Sequence, residues 1–263
     1  SCAACASIPA PFWPDAMPRY RLTLEYDGTG LVGWQRQDNG PSVQQALADA
    51  FRAFCGEDLI VHAAGRTDAG VHALGQVAHV DLSRDWPDDT VRKAVNQHLR
   101  PHPIVILDAV RAPDDFHARH DALERSYLYR IANRKAPLAL ERNRAWYISY
   151  PLDVAAMHEA AQVLVGHHDF STFRDSGCQA KSPLKTLDAI SVERHGTTIE
   201  IKTSARSFLH RQVRSMVGSL YYVGDGKWSA GGLKDALEAR DRKACGVIAP
   251  ACGLYLETVE YPA

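Results

Sequence analysis

No stretch of this chain approaches the roughly 18 consecutive apolar residues that a membrane span requires. A surplus of charge is missing as well. Lys and Arg number 30 against 31 Asp and Glu, so the formal net charge is −1 and no global field recruits a polyanion. The Walker A string of phosphate-binding loops does not occur, nor does the Gly-x-Ser-x-Gly elbow of serine hydrolases. Gly28-x-Gly30-x-x-Gly33 follows a predicted strand, but Trp34 and Gln35 stand where a dinucleotide-binding helix would open. Six cysteines are present without a metal framework: Cys2 and Cys5 have zinc-ligand spacing, and no second Cys-x-x-Cys or His pair completes four ligands. Free thiols and a cytoplasmic location are the expectation. His167-His168-Asp169 lacks a third ligand at helical spacing, so those residues are expected to cap and hydrogen-bond, and no metal site is expected.

What the sequence does contain is periodic. The chain has 263 residues, 46% hydrophobic and 23% charged, enough for one large domain or two modest ones. Residues 1–16 carry Cys2, Cys5, Pro9, Pro11 and Pro14 without periodicity and read as an extension before Met17; they lack the basic start and apolar run of a signal peptide. Beyond Met17, Tyr20, Leu22, Leu24 and Tyr26 alternate with polar residues and predict a half-buried strand. Ser42-Val43-Gln44-Gln45 has the form of a capping box ahead of a helical face made by Val43, Ala46, Leu47, Ala50, Phe51 and Phe54. A strand, a glycine-bounded loop and another strand follow. Asp88 or Asp89 is expected to cap a helix carrying Val91, Ala94, Val95 and Leu99, and Ile104 to Val110 reads as a strand.

The order β-α-β-β-α-β is then repeated. Glu124 to Ile131 is a strand. Asp153 caps a helix with Val154, Met157, Ala161, Leu164 and Val165 on its face. Leu187 to Glu193 and Thr197 to Thr203 form a hairpin turning at His195-Gly196. A helix runs from Phe208 to Tyr222, a shorter one from Leu233 to Ala239, and a strand from Leu254 to Tyr261. The predicted fold is α+β. Two ferredoxin-like halves, residues 17–115 and 116–263, join edge to edge in one mixed sheet with a cleft between them.

Gly65-Arg66-Thr67-Asp68-Ala69-Gly70-Val71-His72 is the candidate reactive stretch, a bent loop between two strands that presents a carboxylate. Basic residues gather in three places in the second half. Arg119, Arg125, Arg130, Arg134 and Lys135 surround its first strand; Arg174, Lys181 and Lys185 lie in a polar loop; and Lys202, Arg206, His210, Arg211 and Arg214 run into a helix start. With Phe116, Tyr127, Tyr129, Phe170, Phe173 and Phe208 interleaved, they suit phosphate contacts and stacking on an extruded base. Two rivals remain at this point. Asp68-Ala69-Gly70 resembles an aspartic peptidase half-site, although Arg66 and Thr67 replace the expected apolar run, and ferredoxin-like halves also build non-catalytic RNA-binding modules.

Taken together, these segments resemble the tRNA pseudouridine synthase A family from Arg19 to Pro262. The matching pieces are Tyr26-Asp27-Gly28-Thr29-Gly30 with Gly33-Trp34-Gln35; the Gly65-to-His72 string with Ala73; Phe116-His117-Ala118-Arg119; and Arg125-Ser126-Tyr127-Leu128-Tyr129-Arg130. His168-Asp169-Phe170, Phe208-Leu209-His210, Val213-Arg214 and Gly253-Leu254-Tyr255-Leu256 complete them. The resemblance implies isomerisation of uridine to pseudouridine at positions 38, 39 and 40 of the tRNA anticodon stem-loop, without cofactor or metal. It implies Asp68 as the catalytic aspartate and Arg66 as its partner. Tyr127 would be the residue that stacks on the flipped base and removes a proton, and Leu254 an apolar wall. Arg174, Arg206 and Arg214 would be phosphate contacts. It further implies a homodimer with tRNA as partner. His120-Asp121 departs from the Phe-Ser common at that place and puts a negative charge beside the proposed RNA path.

Overall fold

The computed structural model describes residues 17–229 and 231–262, and the segment read as an extension, residues 1–16, lies outside the described residues. Alternation makes β1 (Arg19–Tyr26) a strand with Tyr20, Leu22, Leu24 and Tyr26 buried on one face. After a glycine-rich loop, α1 (Val43–Cys55) starts at Ser42, whose side chain accepts the Gln45 amide at 3.2 Å, and stops at Gly56 in the left-handed region. The other arm of the expected capping box is not made: Gln45 Oε1, which would accept the Ser42 amide, has no partner among the described residues, and Nε2 donates to Asp49 Oδ1 at 2.7 Å. β2 (His62–Ala63), β3 (His72–Asp81), α2 (Asp88–Leu99) and β4 (Ile104–Ala112) complete the first half. Neither Asp88 nor Asp89 caps α2. The helix begins after Pro87 with no side-chain cap, and both carboxylates sit in its first turn, where they oppose the positive end of the helix dipole.

The second half comprises β5 (Glu124–Asn133), β6 (Trp146–Ile148), α3 (Val154–Ala161), β7 (Gly166–Asp169), β8 (Leu184–Leu187), β9 (Ala189–His195), β10 (Thr198–Ala205), α4 (Gln212–Gly224), α5 (Gly232–Ala239) and β11 (Leu254–Glu260). Asp153 caps α3 as expected, accepting the Ala156 amide at 2.9 Å. The helix tightens into a 3-10 turn at Gln162–Leu164, which turns Val165 out to solvent rather than onto the apolar face. α4 begins at Gln212, four residues later than predicted, because Arg211 adopts a left-handed backbone and Gln212 Oε1 accepts the Leu209 amide at 2.8 Å.

The main sheet runs β4-β1-β3-β11-β5-β10-β9, with β2 against β3 and β6 against β5. Each half repeats one order, β4-β1-β3-β2 and β11-β5-β10-β9, which is the ferredoxin-like arrangement twice. Leu47 and Phe51 of α1, Val91 and Val95 of α2, Met157 of α3, and Met216 and Leu220 of α4 share one apolar core with Leu22, Leu24, Tyr129 and Ile131. The halves meet where β3 and β11 pair in parallel, at Tyr255 with His72 and at Leu256 with Ala73. Among the described residues no helix is long and apolar enough to cross a membrane.

Candidate active site

The Gly65–Gly70 stretch is the bend between β2 and β3, and its neighbours hold it by main-chain and side-chain bonds. Gln76 on β3 clips the entry, accepting the Gly65 amide at 3.4 Å and donating to Gly65 O at 2.7 Å. Thr67 is buried against Tyr26 Oη at 2.9 Å, and Thr67 O accepts the Trp34 amide at 3.0 Å. The glycine-rich loop after β1 thus cradles the bend. A Cβ on Gly28 would lie 2.1 Å from Val71 O and one on Gly33 2.4 Å from Thr67 O, so only glycine fits at either place. His72 closes the exit. Its Nδ1 accepts the Gly28 amide at 2.9 Å, which leaves Nε2–H to donate to Asn143 O at 2.9 Å and Cys252 O at 3.2 Å. Burial lowers its pKa below the ordinary histidine value.

From this bend Asp68 reaches across the seam to the start of α4. Arg214 Nη1 donates to Asp68 Oδ2 at 3.1 Å, His210 Nε2 lies 3.2 Å from Oδ1, and Arg211 Nε lies 3.9 Å from Oδ2. The Asp68 side chain is 23% exposed, so its oxygens are pinned yet reachable. The expected Arg66–Asp68 pair is corrected here: among the described residues no hydrogen bond or ion pair joins them, and Arg66 is exposed. Side chains two residues apart in a bent loop diverge, and the aspartate finds its guanidinium 146 residues further along. Arg214 is likewise no free phosphate contact, since Nε donates to Ala249 O at 2.8 Å and Nη1 holds Asp68. The peptidase reading also fails on geometry. The carboxylate nearest in the network, Asp175, is separated from Asp68 by His210, whereas a peptidase dyad shares one proton directly.

Tyr127 lies in β5, 9% exposed, with Phe208 edge-on at 5.1 Å between ring centres. Its hydroxyl has no hydrogen-bond partner among the described residues and stands 3.9 Å from where a Gly65 Cβ would be, at the root of the Asp68 bend. Burial raises the phenol's pKa well above the ordinary tyrosine value, so the group is the neutral phenol. Leu254 opens β11 opposite Tyr129, on the face that also carries Tyr127, whose direct cross-strand neighbour is Leu256. Tyr129 is fully buried, its hydroxyl donating to Pro250 O at 2.8 Å. Phe170 and Phe173, expected among stacking aromatics, are fully buried core residues.

The basic clusters divide into struts and open side chains. Arg125 is a strut with only 7% exposure: it donates to Ala64 O at 3.2 and 2.8 Å, to Arg119 O at 2.8 Å, and to Arg206 O. One planar fork thereby ties the root of the Asp68 bend to the linker before β5 and to the loop before α4. Arg174 Nη2 closes its own loop through Cys178 O at 3.0 Å and Ala180 O at 2.5 Å. Arg206 is exposed, and its side chain makes no bond among the described residues. Sequence reasoning placed His210 and Arg211 in a basic run but missed their contact with Asp68, and missed Asp175 altogether. No local signal pointed to these contacts, because His210 and Arg211 lie before α4, where helical spacing does not apply.

On the opposite sheet face His62, His79 and His117 place ring nitrogens within 4.8 Å of one another. His79 Nδ1 accepts the Ala118 amide at 3.2 Å, and His117 Nδ1 accepts those of Arg119 at 3.1 Å and His120 at 3.3 Å. Each outer nitrogen of these two neutral rings therefore carries hydrogen, the reverse of what a metal ion needs. The His167-His168-Asp169 expectation is met in hydrogen bonds: His167 to Thr186 Oγ1 at 3.1 Å, His168 to Val165 O at 2.9 Å, and Asp169 to the Ser171 amide at 2.9 Å. Burial, then the charges of Arg19, His62 and His117, push His79 down to about 4, against an opposing effect of Asp81. Its folded value lies below the unfolded one of about 6.5, so its contribution to stability is full above pH ~6.5 and lost as pH falls toward ~4, on the order of 3 kcal/mol. Urea unfolding of the wild type is expected to weaken more between these pH values than that of His79→Gln.

A partly exposed carboxylate is thus faced by cations from the far side of a sheet seam, with a neutral aromatic nearby. Residues 23–121 and 160–262 match the family model described as tRNA pseudouridine synthase. A protein named tRNA pseudouridine synthase A from Afipia carboxidovorans is 63% identical over 245 residues, which is 93% of this chain and 100% of that protein. Proteins of the same name from Xanthobacter autotrophicus (64% over 245 residues; 93% of this chain, 100% of that one) and Maricaulis maris (59% over 246; 94% and 99%) are similarly close. The chain belongs to the tRNA pseudouridine synthase family.

Proposed function

We propose that this protein isomerises uridine to pseudouridine in the anticodon arm of tRNA, at positions 38, 39 and 40. The reaction breaks the N1–C1′ bond, turns the uracil, and joins C5 to C1′. The C5 proton leaves and N1 gains one, so the product is an isomer and neither water nor an electron carrier is consumed. Asp68 acts on the ribose or the base as nucleophile or charge stabiliser. Arg214 and His210 hold its two oxygens, and the side chain stays partly open to an approaching ligand. Tyr127 stacks on or borders the extruded base. As a neutral phenol it can take the C5 proton only while passing its own to a neighbour. Leu254 belongs to the apolar wall on the same sheet face.

Arg66 is left free by Arg214 to meet the RNA at the mouth of the bend, and Arg206 and Arg174 flank the other side. A homodimer, with tRNA as its partner in the cytoplasm, completes the proposal; no metal or cofactor takes part in it. The observation that carries the reading is the Asp68 carboxylate, held across the seam at 3.1 Å by Arg214 while remaining 23% exposed. Unmodified tRNA transcript incubated with the protein is expected to gain pseudouridine in the anticodon arm, mapped by carbodiimide labelling and primer extension. No pseudouridine there, with tRNA bound, would overturn the proposal.

A further inference from the structure

Asp175 stands behind the reactive carboxylate, and the function proposed above gives it no task. It lies in the polar loop after Arg174, its side chain 14% exposed. Its Oδ1 is 3.4 Å from His210 Nδ1, and the opposite ring nitrogen of His210 is 3.2 Å from Asp68 Oδ1. Its Oδ2 accepts from Arg211 Nη1 at 3.0 Å, while Arg211 Nε sits 3.9 Å from Asp68 Oδ2. Two parallel links therefore run from one carboxylate to the other, one through an imidazole and one through a guanidinium. The main chain reinforces them: the Asp175 amide donates to His210 O at 3.2 Å and the His210 amide to Cys178 Sγ at 3.4 Å.

Arg211 has a φ of 58°, in the left-handed region that is strained for a side-chain-bearing residue. That conformation ends the turn before α4 and aims the Arg211 side chain back at both aspartates. Burial raises the pKa of the Asp175 carboxyl, but the Gly177 amide and the charges of Arg211 and His210 outweigh it, leaving the value below that of an ordinary aspartate. We propose that Asp175 is a positioning residue: it anchors His210 and Arg211 so that they hold the Asp68 carboxylate in its reactive orientation. Without the anchor both side chains are free to swing toward Asp68 or toward RNA phosphates, and the carboxylate loses its fixed aim while the basic surface is undiminished.

This inference rests on the reading of Asp68 given above. Asp175→Asn keeps an oxygen for the Gly177 amide and removes the charge. Its kcat for pseudouridine formation is expected to fall about tenfold to thirtyfold, with KM for tRNA unchanged within twofold or lowered. Asp175→Glu is expected to recover at least a third of the wild-type kcat. In the His210→Gln background, Asp175→Asn is expected to cost less than it does in the wild type, since one of the two links is already broken. A kcat within twofold of wild type, a loss confined to KM, or fully multiplicative losses in the double variant would each overturn the proposal. If Asp175→Asn does not fold, Asp175→Ser carries the same comparison. Asp68→Asn measured alongside separates the two claims: if it abolishes turnover while Asp175→Asn does not lower it, only the positioning role fails.

Discussion

Asp68→Asn is expected to lower single-turnover pseudouridine formation by about a thousandfold or more, roughly 4 kcal/mol in the barrier. The amide matches the carboxylate in shape and can still accept from Arg214, so the bend, the salt-bridged start of α4 and the cleft keep their form. What it lacks is the negative charge and the nucleophilic oxygen. The Asp68 side chain is partly exposed, so no large folding penalty hides in the result. Affinity for tRNA is expected to stay within about tenfold, roughly 1.4 kcal/mol, because phosphate contacts dominate it and the substitution leaves the basic surface intact. Single-turnover assays with enzyme in excess, beside filter binding of the same tRNA, make the separation. Retention of more than a few per cent of the rate would remove Asp68 from the chemistry.

Arg214→Met is expected to be the next most damaging substitution, lowering turnover about a hundredfold, near 2.7 kcal/mol. Methionine keeps most of the apolar stem against the core and removes two donors at once. Ala249 O loses its 2.8 Å partner and Asp68 loses its 3.1 Å partner, while Arg211 at 3.9 Å and His210 remain. Breaking one side of a fully buried pair costs about 3–5 kcal/mol; here solvent reaches Asp68, and stability is expected to fall by about 1–3 kcal/mol. Arg214→Lys is not expected to rescue the rate, because an ammonium cannot serve a carbonyl and a carboxylate with the fixed fork of a guanidinium. A lysine variant with wild-type kcat would show that charge alone suffices.

The contrast between Arg66 and Arg214 explains how far the sequence could be read. The glycines, the carboxylate and the alternating strands around them are local features, and local chemistry announces them: β1, α1, the β9–β10 hairpin and the repeated β-α-β-β-α-β order all follow from periodicity and turn residues. The partner of Asp68 is a product of sheet topology, set by β11 entering between β3 and β5, and no spacing rule reaches across 146 residues. The start of α4 was misplaced for a related reason. Phe208 to Arg211 have helical propensity enough, but the contacts of His210 and Arg211 with two aspartates favour a turn there, and tertiary bonds override the local preference. β6, β7 and β8 are three or four residues long, β6 pairing with the end of β5 and β7 with β8 in a separate two-stranded sheet, too short for a period to register. Arg125 reads in sequence as one more surface cation, because nothing local shows that three main-chain carbonyls from separate loops converge on it.

The two like-folded units are not equivalent in what they carry, and their pseudo-symmetry is broken around Asp68. The hairpin connection that bears Asp68 in one unit corresponds to the tight Gly196-Thr197 turn in the other, one residue later than the sequence predicts, and the cationic beginning of α4 corresponds to a beginning of α2 that holds Asp88 and Asp89. The mirror location therefore pairs a turn too short to project an acid with a helix tip of the wrong sign. Among the described residues the duplicated scaffold builds the Asp68 arrangement once, with its acid taken from one copy and its counter-ions from the other.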